Sequence, residues 1–316
     1  MDNQKEQASR LSDDIESPFE FRLKLIRSHS EKLQELESKF KSDSRWHNFD
    51  DTDSDMWCWT VMGHSLEKLN HLILNSVRID TFSLVSTTRF VFELATWLIL
   101  FDRNSDYGFL YRREMLESHI QHDERLIDQS RREIKLLKEF DELESQMMES
   151  EIKRLITIED PELLQREKAE FLDKIHETVD ALAARKFSVF AEDAKQNGYG
   201  FQAVLVESLI AAAEARLATN KQTLEQFQRS LSDTTKRLIE KKRPWSKKCK
   251  TAGLIDEYRF VYSMTSRFLH ASPIGISTNQ KHLTIEELNT LLKFINVKTQ
   301  DCIALAENWL KSNRFS

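Results

Sequence analysis

Tyr258, Tyr262, Ser266 and His270 recur at four-residue intervals in EYRFVYSMTSRFLHASP, residues 257–273. On a helix this spacing keeps side chains on one stripe that rotates by roughly 40° per step. One flank would then carry three hydroxyls and an imidazole, the side chain best suited to exchange protons near neutrality. Phe260, Met264 and Phe268 mark another flank, expected to be the more buried one. Pro273 cannot continue a helix and disfavours one at Ser272, so His270 falls near the helix's C-terminal end. The negative end of the dipole favours imidazolium there, whereas burial opposes it.

A second stretch, TTRFVFELATWL, sets Arg89 and Glu93 one turn apart in the most apolar part of the chain. A buried charge without a partner is costly, so the two should satisfy each other first and neighbouring polar groups next. If packing brings this pair against the Ser266 and His270 flank, chemistry follows. His270 would act as general acid or base, Arg89 would stabilise a phosphoryl charge and Glu93 would orient one of them, with Tyr262 alongside. The same Arg, Glu, Tyr, Ser and His also make a coherent unreactive network that specifies how helices pack. Sequence leaves both readings open.

The run KRLIEKKRPWSKKCK (236–250) carries eight Lys or Arg against Glu240 alone. Lys241, Lys242, Arg243, Lys247 and Lys248 around Trp245 would hold phosphates with a base stacked on the indole, which makes RNA a candidate partner. Cations that merely complement the C-terminal end of a helix explain part of the run as well. The remainder of the chain is acidic, with a net charge of -6, and shows no second basic patch.

Metal and cofactor chemistry finds no support. Asp51, Asp53 and Asp55 alternate as in a calcium loop, but Met56 and Met62 stand where an EF-hand needs Gly and Glu. His119 and His122 share a helix face without a facing Glu-x-x-His. H-E-x-x-H, Walker, G-x-G-x-x-G and G-x-S-x-G motifs are all absent. Cys58, Cys249 and Cys302 lie far apart and form neither a disulfide framework nor a zinc site, which fits a reducing cytoplasm.

The elements that must position these residues are helices. Only six glycines and four prolines occur in 316 residues, too few for the turns of a sheet protein. An all-α fold is expected. Ser17, Pro18 and Glu20 read as a capping box opening one helix through about residue 40, after a polar tail over 1–17. The apolar run FVFELATWLILF (90–101) is too short to span a bilayer and contains Glu93, so no membrane segment is expected. Residues 18–108 and 244–316 are expected to form a compact helical bundle, interrupted by a long charged helical arm over 109–243. In that arm Ile210, Ala213, Leu217, Asn220, Leu224, Phe227, Leu231, Thr234 and Leu238 alternate spacings of three and four, a heptad seam. Such an arm gives shape, pairs two copies of the chain or recruits a protein partner.

Arg89 and Glu93 in RFVFE, Trp245 in RPWSKKCKTAGL, and Tyr262, Ser266 and His270 in YSMTSRFLHASP follow an order and spacing with a precedent. They resemble an uncharacterised family of bacterial helical proteins with an Arg-x-x-x-Glu helix early and a Trp, then a Tyr-x-x-x-Ser-x-x-x-His helix, late. The matching stretches cover about a fifth to a quarter of the chain. That family is distantly similar to the HEPN superfamily of helical bundles, many of them metal-independent RNases of toxin and phage-defence systems. The resemblance implies an RNA-binding or RNA-cleaving effector; a non-catalytic scaffold using its helical arm is the alternative. The HEPN hallmark is Arg, four to six residues, then His. Here Arg267 precedes His270 by only three positions, and no Arg occupies 263 to 265. Arg113 and His119 have the spacing but lie at the edge of the charged segment, away from the other motifs.

Overall fold

A computed structural model of the chain describes residues 18–78, 80–239, 243–269 and 282–312; Ser17, Lys241, Lys242 and His270 lie outside them. Among the described residues every regular element is a helix and there is no strand, so the fold is all-α. The chain divides into two compact units, residues 1–113 with 230–316, and residues 114–229.

The first unit contains α1 (Pro18–Arg27), α2 (Ser30–Ser42), α3 (Ser44–His47), α4 (Ser54–Asn75) and α5 (Thr81–Arg103). It takes in the start of α6 (Tyr107–Leu155), within which the division falls. The rest of α6 joins α7 (Pro161–Ala183), α8 (Ala191–Asn197) and α9 (Tyr199–Ser230) in the second unit. The chain then returns to the first unit with α10 (Asp233–Ile239), α11 (Trp245–Ala252), α12 (Ile255–Leu269) and α13 (Ile285–Lys311).

Helix α5 is apolar on most of its circumference, with Leu84, Val85, Val91, Phe92, Ala95, Leu98, Leu100 and Phe101 buried. By length and composition it could cross a membrane, but here its faces are taken up by α4 and by helices from the end of the chain. One flank of α5 stays polar, and that flank carries the site.

The single N-terminal helix expected from sequence is two helices. Ser28 Oγ donates to the Leu25 carbonyl at 2.7 Å, and the His29 amide turns to Ile26 instead of Leu25. A serine hydroxyl that competes for backbone carbonyls loosens a helix at that point. The break lets His29 reach Asn296 at 2.9 Å and Ser30 reach Asn70 at 2.7 Å. Helices α2 and α4 pair through Trp59, whose Nε1 donates to the Phe40 carbonyl at 3.2 Å.

The end of the chain closes the first unit. Gly253, at φ 77°, ends α11 in the left-handed conformation that favours glycine. The Arg103 guanidinium then donates to the free Thr251 and Ala252 carbonyls, placing a cation at the negative end of that helix. Thr284 and Glu287 form the expected capping box at the start of α13. Lys298 of α13, 5% exposed, bridges Glu257 of α12 and Asp301, each at 2.9 Å.

The buried stripe of α12 differs from the expected one. Val261 and Thr265 are buried, whereas Phe260 is 44% exposed and Met264 and Phe268 are half-buried. Thr265 can be fully buried because its hydroxyl donates to the Val261 carbonyl at 2.7 Å, which leaves no unsatisfied polar atom.

The second unit has its own core, in which Leu137 and Phe140 of α6 meet Ile175, Val179 and Ala183 of α7 and Tyr199, Ala203 and Val206 of α9. Helices α6 and α9 run antiparallel. Arg216 donates to Asp123 at 3.0 Å, Lys221 pairs with Glu124 at 2.8 Å, and Phe140 lies against Tyr199 with ring centroids 5.4 Å apart. The heptad seam of α9 faces inward in this pairing: Ala213 and Phe227 are buried, and Asn220 between them reaches Asp123 at 3.4 Å. It does not continue to Leu238 as expected, because α9 stops at Ser230. Beyond that stop the phase changes, so Thr235 is buried and Thr234 exposed. Since the seam is occupied within the chain, Leu217→Glu with Leu224→Glu should destabilise the second unit by about 1–3 kcal/mol per site. Urea unfolding followed by circular dichroism measures this; an unchanged midpoint would show that the seam is not packed.

Candidate functional site

Arg89, Glu93 and Trp97 follow one another at four-residue spacing along the polar flank of α5. Arg89 Nε donates to Glu93 Oε1 at 3.1 Å, and the Tyr262 hydroxyl of α12 donates to the same oxygen at 2.5 Å. The Arg89 guanidinium also lies over the Tyr262 ring, 4.4 Å from its centroid, a cation–π contact. Tyr262 in turn packs on Tyr258, with centroids 4.3 Å apart. Two residues from α5 and one from α12, 169 positions apart, thus form a closed triangle of charge, phenol and guanidinium.

Burial, and then the Glu93 carboxylate beside it, push the Tyr262 phenol well above its ordinary pKa. Both act the same way: phenolate would be poorly solvated and would face an anion. Tyr262 is therefore a fixed donor, not an acid at neutral pH. Burial of Arg89 opposes its charge, but the Glu93 hydrogen bond and charge outweigh this and raise it. The Arg89 and Glu93 side chains remain 28% and 26% exposed. One Glu93 carboxylate oxygen, Oε1, is held twice, and the other, Oε2, is bonded to no described residue.

Of the other residues singled out from sequence, Ser266 is half-buried on α12 and makes no hydrogen bond to Arg89, Glu93 or Tyr262. Arg267 is tied to Glu287 of α13. The basic run divides. Lys247 is exposed, while Arg243 is half-buried and donates to the Tyr107 hydroxyl at 3.2 Å and to the Leu238 carbonyl at 3.0 Å. Lys248 departs from the phosphate-binding role. It is 4% exposed, and its ammonium sits 4.3 Å from the Trp97 ring centroid and 4.6 Å from that of Trp245. Two indole faces stabilise this inward cation and keep it from a nucleic acid backbone. Trp245 is half-buried and meets Trp97 edge-on at 6.3 Å.

Trp97 and Tyr111 are members of this cluster that motif spacing did not flag. Tyr111 packs edge-on against Trp97, with centroids 5.2 Å apart. The signal for Trp97 was its place one turn beyond Glu93; nothing local marks Tyr111.

The acidic loop before α4 is a set of turns and caps. Asp53 accepts from the Asp55 amide at 2.8 Å, Asp50 from the Thr52 amide at 2.8 Å, and buried Arg112 donates to the Asp51 carboxylate and carbonyl. Among the described residues no group of three or more His, Cys, Asp or Glu is placed to hold a metal ion. His119 and His122 are exposed. Burial pushes the Cys249 thiol up to about 11 and that of Cys302 up to about 12, and raises Cys58 well above its ordinary value. None is poised as a thiolate nucleophile.

Comparison with protein-family models, curated proteins and solved structures returns no match to this chain.

The Tyr262 contact has a defined alkaline signature. A phenol whose folded-state pKa is raised contributes fully below the ordinary tyrosine pKa of about 10, and that contribution is lost as pH rises beyond it. Tyr262→Phe should lower stability by about 1.5–3 kcal/mol at neutral pH, the usual scale for a hydrogen bond to a charged group. The gap to the parent should stay level up to about pH 9 and narrow above about pH 10. Denaturant titrations across that range test it; a gap that widens with pH would mean that the phenol ionises easily in the fold.

Proposed function

We propose that the chain binds single-stranded RNA along the flank formed by α5 and α12 and cleaves it, as an effector of a toxin or phage-defence system. The observation that carries this reading is the half-held carboxylate. Tyr262 and Arg89 fix Glu93 through Oε1 while Oε2 is bonded to no described residue, which suits a base that must be oriented and yet able to take a proton. The half-buried rings of Tyr258, Tyr262 and Trp245 beside it offer apolar surface for bases, with Arg89 and Lys247 for phosphates.

The proposed reaction is an internal transfer. Glu93 Oε2 takes the proton of a ribose 2′-hydroxyl, and the 2′-oxygen attacks the adjacent phosphorus. The P–O5′ bond breaks, leaving a 2′,3′-cyclic phosphate and a 5′-oxygen that receives a proton from protonated His270. Arg89, fixed over the Tyr262 ring, stabilises the charge that develops on the non-bridging oxygens. Tyr262 is a positioning residue. It holds the carboxylate through Oε1, and burial beside that anion keeps the phenol protonated.

The test is expression of the parent, Glu93→Gln and His270→Ala proteins, with a survey of cellular RNA integrity and growth. The parent should fragment RNA and slow growth. Both variants should abolish these effects, with His270→Ala keeping a melting temperature near the parent's. Intact RNA with the parent, or fragmentation that persists in Glu93→Gln, would overturn the proposal.

A further inference from the structure

The connection between α7 and α8 presents Phe187 to solvent at 81% exposure, the most exposed large apolar side chain among the described residues. A flexible loop would bury or disperse such a ring, but this connection is pinned. Glu133 of α6, only 1% exposed, accepts hydrogen bonds from Ser188 Oγ at 2.5 Å and from the Val189 amide at 2.9 Å, and a third from Gln129 at 2.7 Å. Ser188 Oγ also accepts from the Phe190 amide at 3.2 Å. A carboxylate taken out of water and satisfied by two successive loop residues fixes the loop just where Phe187 leaves it.

Beside the ring lies a cavity of about 390 Å³, within the usual range for small-molecule sites, and Arg132, Lys135 and Lys186 line it. None of the three makes a close ion pair with a described residue. Arg132 donates to the neutral Gln129 side chain at 2.8 Å, and Lys135 only approaches Glu139 at 3.9 Å, both of that pair being well exposed. Glu133 and Glu139 line the cavity as well, and the neutral donors that hold Glu133 leave its charge in place, so the three cations exceed the acids by one.

We infer that this is a second contact surface for single-stranded RNA: a base stacks on Phe187, and the flanking phosphates lie on Arg132, Lys135 and Lys186. An aromatic face accepts any base, and cations that meet only phosphate carry no sequence preference. The inference rests on the RNA reading above but concerns binding alone. An acidic protein segment would meet the same cations, and competition by polyglutamate is the arm of the test that reports it.

The test uses the full chain carrying Glu93→Gln, so that the probe survives, and the probe is a fluorescein-labelled oligouridine of about twelve nucleotides. Fluorescence anisotropy should give binding that Phe187→Ala weakens by at least about fivefold, the lower end of what one stacked base contributes. Lys135→Gln with Lys186→Gln should reduce the slope of log affinity against log salt by about 0.7 for each phosphate no longer neutralised. All three side chains are exposed, so the variants should fold, with unchanged circular dichroism as the check. Phe187 dependence of binding, together with a probe left intact by the parent protein, would support this surface while sinking the cleavage reading. Affinity unchanged in Phe187→Ala, or polyglutamate competing as well as unlabelled oligouridine, would overturn it.

Discussion

A charged pair on the flank of the chain's most apolar helix constrains everything packed around it. Helix α5 has to be covered on most of its circumference to bury its leucines and phenylalanines, yet Arg89 and Glu93 cannot be covered by apolar side chains without a desolvation cost that nothing would offset. The fold meets both demands by giving the apolar faces to α4 and α13 and the polar flank to α12, which brings a phenol instead of an alkyl group. Tyr262 satisfies Glu93, and its ring lies under Arg89, so one residue serves both charges. The same logic runs one turn further along α5, where Trp97 and Trp245 receive the buried ammonium of Lys248. The flank is a succession of cations on aromatic faces beside a carboxylate, and this is what makes it both a packing surface and a candidate site.

The pairing of Arg89 with Glu93 was legible because helical spacing is strict and an apolar stretch demands that the two charges meet. Their partner was less so: the Ser266 and His270 flank was expected against them, whereas it is Tyr262 that bonds Glu93 and Ser266 makes no bond to the pair. Helix type was equally legible from the scarcity of glycine and proline. What misled was the assumption that each polar residue declares its own surroundings. Lys248 sits in a basic run and reads as solvated, but its burial depends on Trp97, 151 positions earlier. Phe260, Met264 and Phe268 read as the buried flank of α12, but a backbone carbonyl satisfies the Thr265 hydroxyl and lets Thr265 enter the core instead.

Continuity was the other limit. Ser28 ends α1 by binding a carbonyl, a local competition that hydrophobic periodicity does not record. The seam of α9 read as one run through Leu238, although the helix stops at Ser230 and the phase changes beyond it. A heptad pattern also says that a helix has a partner without saying which. Here the partner is α6 of the same chain, positioned by Asp123 with Arg216 and Asn220. The grouping of Arg132, Lys135 and Lys186 around Phe187 escapes a linear reading because it joins residues from two parts of the chain in an otherwise acidic sequence.

The central claim is that Glu93, held through one oxygen, uses the other on a ribose hydroxyl. The most direct measurement incubates the purified protein, in excess chelator, with an end-labelled RNA oligonucleotide and with the same oligonucleotide bearing a single 2′-deoxyribose at the cut site. The account predicts cleavage of the all-ribose strand to a 2′,3′-cyclic phosphate, and none at the substituted position. Cleavage that proceeds at the 2′-deoxy position would contradict it, because the attacking group would then not be the hydroxyl that Glu93 is placed to activate.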